Sequence, residues 1–194
     1  MCVLKMLEEL KKTLEEAPIV KKGNYNYFIH PVTDGIPAVK PELLREIADT
    51  LTQKINFENI DKIVAIEAMG IHLATALSLK TNIPFVVIRK RHYGLPNEHQ
   101  VHKKTGYGES ILYINDLNKN DNILLIDDVV STGGTLIAVI NALTDMGVTV
   151  DTAVAVIEKG KGKKIVEDEI GMSILTLIKL DVVNGHVVIE SVND

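Results

Sequence analysis

A single cysteine, Cys2, in 194 residues leaves no partner for an intramolecular disulfide and no cysteine-rich metal site, and it suits a reducing compartment. Tryptophan is absent and aromatics make up only 4% of the chain, which argues against a surface built to stack nucleobases. Basic residues (21 Lys and Arg) are outnumbered by acidic ones (26 Asp and Glu), giving a net charge of −5. No global basic field therefore attracts nucleic acid or anionic lipid, and any anionic ligand must be held locally. The apolar runs at 63–66 and 123–126 fall far short of the roughly 18 residues that suggest a membrane span. The stretch 1–10 carries Glu8 and Glu9 inside its apolar pattern and lacks a small-residue cleavage site, so it does not read as a signal peptide. These absences predict a cytoplasmic protein with no nucleic-acid or membrane partner. What is present, 46% hydrophobic and 24% charged residues, is a globular composition, and the length fits a single α/β domain spanning 1–194.

Val3, Leu4, Leu7, Leu10 and Leu14 have helical spacing, and Pro18 closes that first amphipathic helix. Residues 23–41 hold three prolines, two glycines and the aromatics Tyr25, Tyr27 and Phe28, a pattern for irregular chain or short strand in a small flank. Pro41 opens a helix running to about Lys54, with Leu43, Leu44, Ile47 and Leu51 on one face. Beyond it, strands at 62–67, 85–89, 111–114, 122–127 and 148–158 are interleaved with helices at 71–80 and 135–146, and short strands follow near 173–178 and 186–189. Continuous Val/Ile/Leu strands alternating with helices indicate a doubly wound, mainly parallel sheet. Residues 90–110 are polar, glycine-bearing and without period, too long for an ordinary connection, and are expected to form a mobile lid.

The decisive segment is ILLIDDVVSTGGT, residues 123–135. A buried strand ends in Asp127 and Asp128, at the edge where ligands sit in open α/β sheets. Ser131, Thr132, Gly133, Gly134 and Thr135 then lead into a helix, so backbone N–H groups, hydroxyls and the helix dipole can converge on one phosphate. Adjacent carboxylates repel a phosphate but accept well from two neighbouring hydroxyls, so a phosphorylated ribose satisfies both halves. The glycines let the backbone approach the anion, and on this reasoning Gly133→Val is expected to cost catalysis more than stability.

This segment resembles the phosphoribosyl-pyrophosphate (PRPP) motif of the type I phosphoribosyltransferases, whereas the dinucleotide glycine pattern and the Walker lysine loop are absent. Glu67, Ala68, Met69 and Gly70 are similar to the loop with which that family holds pyrophosphate. That loop turns sharply, so a strained or cis non-proline peptide is expected there. Phe85 to Arg91 is similar to the next strand and its basic end in adenine and xanthine enzymes, and Arg89 with Lys90 can neutralise the leaving pyrophosphate. With Phe28-Ile29-His30-Pro31 and Val156-Ile157-Glu158-Lys159 added, the chain resembles the archaeal hypoxanthine/guanine phosphoribosyltransferase subfamily. The resemblance implies transfer of the phosphoribosyl group of PRPP to hypoxanthine or guanine, Mg²⁺ carried by PRPP without an all-protein metal site, and a homodimer. It also implies a small hood made from segments 18–40 and 159–194. Adenine phosphoribosyltransferase, or a non-catalytic PRPP-sensing regulator, is the alternative reading.

For the base, a 6-oxopurine presents an acceptor at O6, and Lys159 matches a lysine that xanthine-type enzymes place near it, while His30 in the aromatic flank is a second candidate. The proton acceptor stays unassigned. Related 6-oxopurine enzymes carry an Asp where this chain has Ser131, adenine enzymes place a Glu before a lid tyrosine where this chain has Gly106 before Tyr107, and Glu109 is the remaining candidate. His99 and His102 read as solvated lid residues and His72 as a packing or capping residue.

Overall fold

The computed structural model describes residues 7–23, 25–105 and 108–193, with the side chains of Lys22 and of residues 103–109 excepted. The elements run α1 (Glu8–Glu15), β1 (Ile19–Lys22), β2 (Tyr25–Phe28), α2 (Pro31–Asp34), α3 (Pro41–Lys54), β3 (Lys62–Ile66), α4 (Gly70–Thr81) and β4 (Phe85–Ile88). They continue with β5 (His99–Thr105), β6 (Gly108–Ile114), β7 (Asn122–Val130), α5 (Gly134–Asp145), β8 (Thr149–Lys159), α6 (Gly162–Ile170), β9 (Ile174–Val183) and β10 (His186–Val192). Six strands form the main sheet in the order β10-β9-β8-β7-β3-β4, parallel except for β10, which returns antiparallel to β9.

Strand periodicity divides the core between the two faces of this sheet. Ile63, Ala65, Leu124, Ile126, Val154 and Val156 pack with the apolar stripes of α1, α3 and α4, including Leu10, Leu14, Leu43, Ile47, Leu51, Leu73 and Leu77. Their neighbours Val64, Ile66, Ile123, Leu125, Ala153 and Ala155 pack on the other face with Leu136, Val139, Ile140 and Leu143 of α5 and Val166 of α6. Strands buried on both faces are apolar throughout, which is why β3 and β7 read as continuous runs. Because α4 leaves β3 toward one face and α5 leaves β7 toward the other, these adjacent strands part at their C-terminal ends. That divergence opens the crevice in which α/β sheets bind ligands.

Two segments depart from the sequence expectation. Residues 90–110 are not irregular throughout, since β5 and β6 pair as an antiparallel hairpin tied to the sheet by the Arg89–Tyr113 bridge, with N–H···O distances of 2.9 and 2.7 Å. The hairpin buries Val101, Leu112 and Ile114 against the α5 face, and its long polar positions masked that short apolar pattern. The segment 159–194 supplies α6 and the sheet strands β9 and β10 rather than standing apart as a hood, because Leu177, Ile178 and Leu180 are core residues. Helix α6 itself begins in a lysine- and glycine-rich run for which no helix is expected from the sequence, and Val166 within it is fully buried. At the other end, β1 and β2 form a separate two-stranded sheet followed by α2. No helix among the described residues is long and apolar enough to cross a membrane.

Candidate functional site

Strand β7 extends past Asp127 to Val130, still paired with β8, so both carboxylates sit within the ladder and are only 9% exposed. Asp127 Oδ1 accepts from the Asp128 amide at 3.0 Å. Burial, reinforced by the charge of Asp127, pushes the Asp128 carboxyl well above the usual carboxylate range. Such a pair is ready for a ligand that brings hydroxyl donors.

Beyond the strand, Ser131 and Thr132 bend into Gly133, the N-cap of α5, with φ +78° and no side-chain cap. The first amides of α5 are therefore left for a ligand to satisfy. Gly133 itself is required for packing. A Cβ there would stand 2.7 Å from Val166 Cγ2 and 3.2 Å from the Gly162 carbonyl oxygen, and a Cβ on Gly162 would collide with the Ser131 backbone. The loop is thus pressed onto the start of α6. This corrects the expectation for Gly133→Val: the missing side chain faces Val166, and the substitution costs fold stability directly.

On the facing edge, the Glu67–Ala68 peptide after β3 is cis, as the family resemblance implied. Glu67 Oε2 accepts from the Lys90 amide at 2.9 Å and from Arg89 Nε at 2.8 Å. The Lys90 amide, with the Arg89 charge, holds the Glu67 carboxyl below its ordinary range. One carboxylate therefore fastens the basic end of β4 beside the 67–70 loop. Met69 caps α4 without a side-chain bond, and Gly70 is needed because a Cβ would stand 2.7 Å from the Ile126 carbonyl oxygen. Residues 67–70, 89–90 and 127–135 thus emerge from the ends of β3, β4 and β7 around one crevice.

Above the end of β7 lies a cavity of about 270 Å³ lined by Asp128, Ser131, Thr132 and Lys159 on the sheet side and by Tyr25, Tyr27, Phe28, Thr33 and Asp34 from the β2–α2 flank. Lys159 ends β8 and is 6% exposed. Its ammonium donates to the Asn26 carbonyl and lies 3.7 Å from the centroid of the Tyr25 ring. Tyr25 in turn shares a hydrogen bond of 2.8 Å with Ser131 Oγ, joining the flank to the phosphate-type loop.

The structure does not bring His30 to this cavity. Its ring is fully buried, with Nδ1 accepting from the Val32 amide at 3.1 Å and Nε2 bonded to Thr13 Oγ1 at 2.9 Å, so it caps α2. Burial lowers its pKa to about 4. Tyr25, Thr33 and Asp34 line the cavity although sequence reasoning singled none of them out as site residues. The one available signal was the aromatic cluster at 25–28 in a chain so poor in aromatics.

Ahead of β5, Glu98 organises the turn: it accepts from the Tyr93 and Gly94 amides at 3.1 Å, from Asn115 Nδ2 at 2.8 Å, and lies 3.0 Å from His92 Nε2. His99 and His102 lie three apart on β5 and so point to opposite faces, which prevents them from sharing a metal ion. Tyr107 and the side chain of Glu109 lie outside the described residues. His72 on α4 is half-buried with Nε2 unpaired, and burial lowers its pKa. Among the described residues, no group of three or more His, Cys, Asp or Glu side chains is arranged to hold a metal ion.

A family model described as "Phosphoribosyl transferase domain" matches residues 39–192. The hypoxanthine/guanine phosphoribosyltransferase of Methanobacterium paludis is 62% identical over 185 residues, covering 95% of this chain and 97% of the relative. That of Methanothermus fervidus is 61% identical over 182 residues, covering 94% and 96%. Among solved structures, the adenine phosphoribosyltransferase of Rhodothermus marinus superposes with a TM-score of 0.73 at 26% identity over 90% of this chain and 98% of the other. The adenine enzyme of Thermoanaerobacter pseudethanolicus gives 0.73 at 23% identity over 89% and 99%, a likeness of fold.

Proposed function

The chain belongs to the phosphoribosyl transferase domain family, and on that premise we propose that it transfers the 5-phosphoribosyl group of PRPP to hypoxanthine or guanine, giving IMP or GMP and pyrophosphate in purine salvage. The observation that carries this reading is the single cavity in which the buried Asp128 and the Ser131–Thr132 loop meet Lys159 and an aromatic flank. A ribose-phosphate subsite thereby opens directly onto a base subsite.

In this reading, Asp127 and Asp128 accept from the ribose hydroxyls, and the residues from Ser131 to Thr135 enclose the 5′-phosphate at the uncapped start of α5. The amides of Glu67 to Gly70, with Arg89 and Lys90, receive pyrophosphate. Glu67 keeps Arg89 in place through its 2.8 Å bond. N9 of the purine attacks the anomeric carbon with inversion, the C–O bond to pyrophosphate breaks as positive charge develops on the ribose ring, and the imidazole proton of the base leaves to the acceptor that stays unassigned. The chain's contribution is positioning and charge stabilisation. Mg²⁺ enters with PRPP as part of the substrate and supplies charge neutralisation of the pyrophosphate. The pyrophosphate subsite offers N–H donors and cations rather than a carboxylate cage, which suits an ion held by the substrate. A homodimer in the cytoplasm belongs to the same reading, as does a single domain whose 90–110 segment closes over the reacting centre.

The base preference rests on Lys159, whose ammonium can donate to O6 of a 6-oxopurine but meets adenine's amino group donor to donor. Turnover with PRPP, Mg²⁺ and an equimolar mixture of adenine, hypoxanthine, guanine and xanthine tests the proposal. IMP and GMP are the expected products. AMP as the main product transfers the chain to the adenine reading, and no turnover with any base leaves the PRPP-sensing regulator.

A further inference from the structure

The cavity contains two opposite charges that do not neutralise one another. Lys159 and Asp34 both line it, yet among the described residues neither forms an ion pair. Asp34 is held firmly on one side only. Its Oδ2 accepts from the His30 amide at 3.0 Å and from Thr33 Oγ1 at 2.6 Å, which fills both lone-pair directions of that oxygen. No described residue donates to Oδ1. The carboxylate is oriented by its own turn, α2, and that turn is fixed by the buried His30 cap and by contact with the loop at 67–70, where the Met69 methyl lies 3.8 Å from the Cβ position of Gly35.

We propose that Asp34 is a specificity-determining residue that accepts the N1–H of a 6-oxopurine while Lys159 donates to the adjacent O6. This deepens the function proposed above and rests on it. A lactam presents a donor next to an acceptor, and a fixed carboxylate and an ammonium lining one cavity are the complementary pair. Because one oxygen of Asp34 is already saturated, the carboxylate offers a single accepting oxygen, enough for N1–H but without a second, dedicated acceptor for the 2-amino group of guanine. Hypoxanthine and guanine are therefore served alike. Adenine brings a lone pair at N1 toward the carboxylate, and xanthine brings a carbonyl oxygen at C2, so both are repelled.

The test compares kcat/KM for hypoxanthine, guanine, adenine, xanthine and 1-deazahypoxanthine, in which C–H replaces N1–H, between the wild type and Asp34→Asn. The wild type is expected to lose about ten- to hundredfold on 1-deazahypoxanthine relative to hypoxanthine. Asp34→Asn is expected to lose a similar factor on hypoxanthine and guanine, to stop distinguishing the deaza analogue, and to gain on adenine and xanthine relative to hypoxanthine, with the KM for PRPP unchanged. A uniform loss on all bases, or a variant that still distinguishes the deaza analogue, overturns the role of Asp34. If the wild type turns over no purine, it is the underlying function that fails. Because Asp34 also holds the His30 amide, Asp34→Ser, which keeps a hydroxyl acceptor for it, carries the same comparison should Asp34→Asn not fold.

Discussion

Replacing Gly133 by alanine probes the packing that positions the phosphate-type loop. At φ +78° an L-residue is strained by about 1–2 kcal/mol. The added Cβ also stands 2.7 Å from Cγ2 of Val166, a residue fully buried in the middle of α6, and relieving that overlap costs about 1–3 kcal/mol more. The sum, roughly 2–5 kcal/mol, is a large share of the ~5–15 kcal/mol that holds a domain together. For a chain of this size it lowers Tm by roughly 4–20 °C. The two contributions separate in a double-mutant cycle measured by urea denaturation. Val166→Ala alone costs about 2 kcal/mol for two buried methyl groups, but in the double variant the methyl that Cβ would strike is gone. The double variant is thus expected to be more stable than the two single losses predict by about 1–3 kcal/mol, with the backbone penalty remaining. Losses that add within about 0.5 kcal/mol would refute the close approach of α6 to this loop.

Three further outcomes follow from the buried ionisable groups. Asp128 has a raised pKa in the fold, so its contribution is intact at low pH and lost as pH rises through that value; Asp128→Asn is expected to be about 1–3 kcal/mol more stable than wild type at pH 7, with the gap closing below the ordinary carboxylate pKa near 4, while binding PRPP worse. Equal stability gaps at pH 7 and pH 3 would contradict this. His30, lowered from 6.5 to about 4, is neutral in the fold, so its contribution is full above pH 6.5 and lost as pH falls toward 4, and His30→Asn is expected to flatten that limb of the stability curve by roughly 3 kcal/mol. An unchanged pH dependence in the variant would show that another group governs the limb. Lys159→Ala is expected to reduce kcat/KM for hypoxanthine and guanine by about ten- to hundredfold, beyond any loss on adenine, and to lower Tm because the ammonium also holds the Asn26 carbonyl and the Tyr25 ring; equal losses for every base would leave it a purely structural cation.

The parts of this molecule that were legible in the sequence are those in which one short segment carries both the structural and the chemical signal. β7 and its loop are an example: the run from Ile123 to Ile126 is apolar because both of its faces are buried, and the acids and glycines follow it without interruption. The family resemblance, rather than any period, singled out Glu67 and Arg89, and their mutual bond could not be read from residues 22 positions apart. Where one surface of an element is polar and the other apolar over only a few residues, the signal was lost. Val101, Leu112 and Ile114 are too few to reveal the β5–β6 hairpin among the polar residues around them, and Val166 is one buried position in a helix of mostly charged residues.

The half of the cavity proposed to hold the base was the least legible, for a reason that lies in its construction. Its side chains come from residues 25–34 and from the end of β8 at Lys159, and what aligns them is a set of contacts spanning more than a hundred residues: Tyr25 with Ser131, and Lys159 with Asn26. His30 illustrates the consequence. Its place beside the aromatics made it a plausible ligand for the base, but a proline at the next position starts a short helix, and the imidazole is used to cap it. Capping leaves the carboxylate four residues later, Asp34, on the cavity wall, fixed by the very amide of the residue expected to act. On the proposed role of Asp34, the histidine serves base recognition by orienting that carboxylate, so the first consequence of disturbing the cap is expected in base selectivity and not in the proposed ribose-phosphate subsite beside β7 and α6.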